Sequence, residues 1–232
     1  DDRMLGYLGR ALSEGREDPR VLDTVDAALR ETGHDAERVT HLEARAASTP
    51  DPATAVGLLL RAASLRESKL SDGQGALVDL RSALARQPFH PQLLDEVERV
   101  GAAVGDPRSV ADAYALVEGQ IGAGEVEALA GLRMRAARFY ERCGLKHEAL
   151  NEYCRAFEVA PGVGEALGAI DRLGSELATY EPVVQAHLIV AQRSEDPGVQ
   201  RASVRKAAEV LEVGLLDVAG ALDLWLQVFA LD

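Results

Sequence analysis

Arg61-Ala62-Ala63, followed by Gly75-Ala76-Leu77, returns as Arg135-Ala136-Ala137 followed by Glu148-Ala149-Leu150. It returns again as Lys206-Ala207-Ala208 followed by Gly220-Ala221-Leu222. Ala76 and Ala149 are 73 residues apart, and Ala149 and Ala221 are 72 apart. The intervening stretches match too: Pro19-Arg20-Val21-Leu22-Asp23 is echoed by Pro91-Gln92-Leu93-Leu94-Asp95. Leu5, Leu8, Ala11 and Leu12 fall on Leu77, Leu80, Ala83 and Leu84. A period near 72, twice 36, means that each unit packs on its neighbours and not around one central core.

Each period holds four helices. Four Asp-Pro pairs, Asp18-Pro19, Asp51-Pro52, Asp106-Pro107 and Asp196-Pro197, read as helix starts. The Asp side chain caps exposed amides and Pro fits the first turn. Gly15, Gly33, Gly105, Gly144 and Gly214 stand where helices are expected to stop. Helices are predicted near 3–14, 19–32, 36–48, 52–69, 74–87, 91–104, 107–121, 125–143, 146–159, 164–176, 179–193, 197–213 and 217–231. Apolar residues recur at helical steps, as in Leu94, Val97, Val100 and Val104, and in Leu132, Ala136, Phe139 and Tyr140. Strand-like alternation is not sustained anywhere. The expected fold class is all-α, an α-solenoid of antiparallel hairpins with about 13 helices. One array over 1–232 is expected, with units near 3–74, 75–147 and 148–219 and a partial one at 220–232.

Composition supports this and narrows function. Aromatics are only 4% of the 232 residues, and many apolar positions are alanine, which suits close helix contact. The net charge of −13 opposes binding to nucleic acid or to an anionic membrane surface. It favours a basic protein partner, or simply solubility. There is no apolar run of membrane-spanning length, and the first residues do not read as a signal peptide. Two cysteines, Cys143 and Cys154, make no disulfide framework. A cytoplasmic setting is favoured, and the richness in Ala, Arg, Gly and Val fits a high-GC bacterial source.

The stretch 130–161 resembles a tetratricopeptide repeat. Ala137 stands at the small position of the first helix, Tyr140 three residues on, and Gly144 at that helix's end. Ala149, Tyr153 and Ala156 take the small, aromatic and small positions of the second helix, and Pro161 closes the unit. Small residues let two helices approach closely, and aromatics fill the gap to the next hairpin. The pattern is echoed at Ala63, Ala76, Ala83 and Pro88, and at Ala208, Ala221 and Trp225. The resemblance implies a right-handed superhelix whose concave face is lined by the first helix of each hairpin. Its groove positions here are Leu60, Ser64, Glu67, Met134, Arg138, Glu141, Arg205, Glu209 and Glu212. The family's Lys/Asn clamp for a terminal carboxylate is missing: Leu60 and Ser64, Met134 and Arg138, and Arg205 and Glu209 occupy those positions.

Alternate hairpins depart from the pattern. Asp26, Glu98 and Asp171 replace the small residue of the first helix, so those hairpins are expected to pack less tightly or to belong to a divergent two-hairpin unit. Their carboxylates are expected to be exposed or paired with nearby arginines. The competing reading is an acidic stripe that meets a basic ligand.

Catalytic and metal chemistry find little support. Cys143 and His147 are four apart, but Gly144 breaks the helix between them and no third group is evident. Cys154 reads as a core or interface thiol. His34, His41, His90, His147 and His187 lack ligand spacing and read as surface residues. The glycines at 119, 122 and 124, and at 162, 164 and 168, follow no strand and read as hairpin junctions. No catalytic residue, metal or cofactor is therefore expected. The chain reads as a protein–protein interaction scaffold; the alternative is a regulatory sensor module that binds a small peptide and controls an attached effector domain. Both ends read as cut from a longer protein, with Leu224, Trp225, Val228 and Phe229 expected to face a further unit or to mediate self-association.

Overall fold

The computed structural model describes Gly6, Gly9, Arg10, residues 18–162 and residues 164–231. Among these residues there are twelve helices and no strand, so the chain is an all-α helical repeat. They are α1 (Pro19–Thr32), α2 (Asp35–Ser48), α3 (Pro52–Lys69), α4 (Gly73–Arg86), α5 (Leu93–Val104) and α6 (Pro107–Glu118). Then follow α7 (Val126–Arg142), α8 (Lys146–Val159), α9 (Gly164–Glu176), α10 (Glu181–Arg193), α11 (Pro197–Val213) and α12 (Val218–Ala230). The helix expected over 3–14, and Gly15, fall mostly outside the described residues.

Capping explains where the helices start. Asp18, Asp51, Asp106 and Asp196 each accept a backbone hydrogen bond, from the amides of Arg20, Thr54, Ser109 and Gly198. Asp72 and Asp217 do the same for α4 and α12 without a following proline. Such caps contribute about 1 kcal/mol each. Gly33, Gly105 and Gly144 end their helices at φ of 72°, 68° and 76°, a left-handed conformation that costs other residues more. Gly214 also ends a helix but keeps a right-handed φ of −85°.

The described residues form two compact units, divided after Gln120. The first holds α1–α6 and the second α7–α12. Within each unit consecutive helices pack as antiparallel neighbours, and second helices of adjacent hairpins also touch, α4 on α6 and α8 on α10. In the α7/α8 hairpin Ala137, Ala149 and Ala156 are fully buried, and Tyr140 and Tyr153 are buried beside them. Phe139 and Phe157 are almost wholly enclosed. Burying side chains of that size stabilises the fold by roughly 2–3 kcal/mol each.

The divergent hairpins α1/α2, α5/α6 and α9/α10 meet over a smaller area than α3/α4, α7/α8 and α11/α12, as the sequence led one to expect. In α5/α6 the close approach is at Gly101, where a Cβ would lie 2.2 Å from Val110 Cγ2. In α9/α10 it is at Gly174, where a Cβ would lie 2.4 Å from Val183 Cγ2. In these two hairpins a glycine three residues past the acidic position supplies one local close approach, whereas α1/α2 has Leu29 there.

Three expectations change. Gly164 and Gly168 belong to α9 and not to a junction. His41 and His187 are buried, at 6% and 8% exposure, because each ring has a polar partner inside the fold. Leu224, Trp225 and Val228 pack on Val184, Val204, Ala207 and Ala208 within the second unit. The outward stripe of α12 is instead Leu222, Leu226 and Phe229.

Candidate partner-binding surface

Every one of the six hairpins carries a side-chain hydrogen bond or ion pair between its two helices. In α1/α2, Arg38 Nε donates to Asp26 Oδ1 at 2.8 Å. In α3/α4, Arg66 Nε donates to Asp79 Oδ2 at 3.0 Å. In α5/α6, Tyr114 Oη donates to Glu98 at 2.7 Å. In α7/α8, Tyr153 Oη donates to Glu141 at 3.1 Å. In α9/α10, His187 Nε2 meets Asp171 Oδ1 at 2.8 Å. In α11/α12, Trp225 Nε1 donates to Glu212 at 3.1 Å. The three repeated acids therefore act inside their hairpins. Asp26 pairs with arginine, Glu98 accepts from a phenol and Asp171 meets an imidazole.

A second set of contacts joins first helices of successive hairpins. Asp26 also accepts from Arg61 Nη2 at 2.6 Å, linking α1 to α3. Arg99 grips both oxygens of Glu67 at 2.6 and 2.7 Å, linking α3 to α5. In the second unit Arg138 Nε donates to Glu165 at 2.9 Å, and Arg172 meets Glu141 at 2.7 Å, both linking α7 to α9. Bidentate arginine–carboxylate pairs fix orientation as well as distance. The exposed ones among these pairs contribute little stability singly. Together they hold neighbouring first helices side by side.

The electrostatics follow from this pairing. Burial disfavours the charged form of Asp26, but hydrogen bonds from Arg38 and Arg61 outweigh it, and the carboxyl lies below its ordinary value. Arg99 lowers Glu67, and Arg138 lowers Glu165. Burial, with Glu141 opposite, pushes Tyr153 up to about 12. Arg66 is surrounded by Glu43, Asp72 and Asp79, with Asp72 at 2.6 Å. Asp79 is 3% exposed, and its burial raises it from 3.8 to about 7, helped by Glu43. One proton and one guanidinium thus serve three carboxylates. Burial lowers His41, whose Nε2 lies 3.0 Å from the Leu22 carbonyl oxygen.

The groove positions separate into three kinds. Ser64, Arg138, Arg205 and Glu212 are exposed, while Leu60, Glu67, Glu141 and Glu209 are half-buried. Met134 is 4% exposed and belongs to the packing of α7. Glu67, Arg138 and Glu141 spend their charge on neighbouring first helices, and Arg205 and Glu209 pair with each other at 2.9 Å. The cross-helix partners Arg61, Arg99, Glu165 and Arg172 were missed in sequence. The signal that could have found them is opposite charge on successive first helices, 27 to 35 residues apart.

Cys143 caps the end of α7 and is exposed, and His147 lies in the first turn of α8. Cys154 is half-buried beside a cleft between α8 and α10. Among the described residues, no group of three or more His, Cys, Asp or Glu side chains is placed to hold a metal ion. No described helix is long and apolar enough to cross a membrane.

Hairpins that meet through buried alanines, with tyrosines filling the flanking gap, resemble the tetratricopeptide arrangement. No family model and no curated protein matches the sequence. Solved structures do resemble the chain. BtubC (BKLC) from P. vanneervenii is 18% identical over 99% of this chain and 90% of its own, with a TM-score of 0.35. The C-terminal part of a TPR repeat-containing protein from Cytophaga hutchinsonii is 12% identical over 100% of this chain and 90% of its own, with a TM-score of 0.38. A thermophilic TPR protein in Thermus thermophilus is 23% identical over 76% of this chain and 90% of its own, with a TM-score of 0.32.

Proposed function

We propose that this chain is a protein-binding scaffold that holds a partner protein or peptide on the face formed by the first helices within a unit, and that it is not itself an enzyme. The observation that carries this reading is the set of ion pairs joining successive first helices: Asp26–Arg61, Glu67–Arg99, Arg138–Glu165 and Glu141–Arg172. A face whose helices are already fixed loses little freedom when a ligand lies across it, which favours affinity. Stacked hairpins supply extended surface of this kind. The net charge of −13 favours a partner rich in Lys and Arg.

Ser64 marks the first-helix face of the first unit and Arg138 that of the second, because both are exposed and neither lies in a hairpin core. The test is affinity capture from the source lysate at low and high salt, with the native chain and a Ser64→Arg/Arg138→Glu variant as baits. One dominant protein retained by the native chain, weakened by salt and lost with the variant, is the expected result. Equal retention by both baits overturns the assignment of this face. The variant must keep the native circular dichroism spectrum for the comparison to count.

A further inference from the structure

A cleft of about 430 Å³ lies in the second unit between the second helices α8 and α10. Its floor is apolar, made of Leu150 and Phe157 from α8, Ile170 from α9, and Ala186 and Ile189 from α10. Its rim carries Glu158 on one wall and Glu181 on the other. Both carboxylates are exposed, and among the described residues neither is paired with a cation. Cys154 and Gln185 line the cleft between floor and rim.

The internal repeat shows what such a place holds when the chain fills it itself. Leu77 and Leu150, Glu98 and Asp171, and Tyr114 and His187 are each 73 residues apart, which fixes the register of α4 on α8 and of α6 on α10. In that register Cys154 stands where the first unit has Arg81, and Gln185 where it has Asp112. Arg81 Nη2 meets Asp112 Oδ2 at 3.1 Å, so an arginine spans from α4 to α6 there. In the second unit both partners have become shorter or uncharged, and the space is open. In the same register Glu158 and Glu181 stand where the first unit has Ala85 and Arg108, so the acidic rim belongs to the second unit alone.

We propose that this cleft is a docking site for a basic peptide segment of a partner protein. One bulky apolar side chain rests on the floor, and an adjacent Lys or Arg pairs with Glu158 or Glu181. The volume lies within the range of sites that enclose a side chain or small ligand. An acidic rim around an apolar floor selects against acidic and purely polar segments. The cleft is separate from the first-helix face, although the proposal rests on the reading of the chain as a protein-binding module.

Cys154 provides the reporter. Burial, with Glu158 nearby, pushes its thiol up to about 11, so it is protonated and slow to react at neutral pH. With Cys143→Ser it becomes the chain's one remaining thiol. The experiment pans random displayed dodecapeptides on the Cys143→Ser protein after depletion on a form that also carries Cys154→Arg and Gln185→Asp. That form installs the ion pair of the first unit and closes the cleft. The expected peptides place Leu, Phe or Met beside Lys or Arg. A synthetic copy should slow Cys154 labelling by a disulfide reagent about tenfold, and should bind the closed form about tenfold more weakly. Glu158→Gln/Glu181→Gln, which alters only exposed groups, should weaken it to a similar degree and guards against a folding defect in the closed form. The Ser64→Arg/Arg138→Glu variant should bind the peptide normally, so loss of the first-helix reading and loss of this one are distinguishable. No enrichment over the closed form, an acidic or wholly polar consensus, or labelling unchanged by the bound peptide overturns the proposal.

Discussion

Gly174→Ala isolates the close approach that holds α9 to α10. A Cβ at this position would lie 2.4 Å from Val183 Cγ2 and 3.0 Å from the Thr179 carbonyl oxygen. Carbon atoms in favourable contact are about 3.5–4.0 Å apart, so the methyl intrudes by more than about 1 Å. Val183 is 2% exposed and its branched side chain has few alternative rotamers, so it cannot simply swing away. Overpacking of this kind costs about 1–3 kcal/mol. Replacing a helical glycine with alanine returns about 0.5–1 kcal/mol. The expected net effect is a destabilisation of about 0.5–2 kcal/mol. Gly168→Ala, in the same helix, is the control: its Cβ meets nothing within 4 Å, so the same substitution should stabilise by about 0.5–1 kcal/mol. The assay is denaturant unfolding followed by fluorescence of Trp225, the chain's single tryptophan, which lies in the same unit. Adding Val183→Ala to Gly174→Ala should make the pair less costly than the sum of its parts. Equal stabilisation by Gly174→Ala and Gly168→Ala, or strict additivity with Val183→Ala, would refute the close-approach argument.

Asp79 should give the stability a pH dependence of unusual sign. Its folded value is raised from 3.8 to about 7, so between those values the native state holds a proton that the unfolded chain has released. Its contribution is full below about pH 4 and fades as pH rises toward about 7. Denaturant midpoints measured across that window should fall less with rising pH in Asp79→Asn than in the native chain. Arg66→Met leaves Glu43, Asp72 and Asp79 without their shared cation, and should cost about 3 kcal/mol. The loss should be greater at alkaline than at mildly acidic pH, and a pH-independent loss would refute the shared-cation reading. Tyr114→Phe removes the 2.7 Å bond to Glu98 while keeping the ring, and should cost about 1–2 kcal/mol in thermal or denaturant unfolding.

Helix existence and type were legible in the sequence because they depend on local chemistry. A proline after an aspartate, a glycine past the last apolar step and a 3.6-residue rhythm are all read within one turn of the chain. Hence α1, α3, α8, α9 and α11 begin and end where the sequence placed them, over 19–32, 52–69, 146–159, 164–176 and 197–213. The repeat was legible for the same reason, since equal packing needs put alanine at equal intervals. The alanines at 137, 149 and 156 were assigned to helix contacts and are fully buried.

What each polar residue touches was decided only by the tertiary structure. Asp26, Glu98 and Asp171 look equivalent along the chain, yet they meet Arg38, Tyr114 and His187. The helix crossing brings a partner from 12 or 16 residues away, and that distance has no local signature. His41 and His187 read as surface residues because nothing beside them in sequence reveals the Leu22 carbonyl or the Asp171 carboxylate. The change from Arg81 and Asp112 to Cys154 and Gln185 is visible in the aligned repeats. Only helix packing shows that these positions face each other and that the short, neutral Cys154 in place of Arg81 leaves a cleft open. Local sequence set each helix and its apolar side; the angles and distances between helices set which charges are satisfied and which surface is left for a partner.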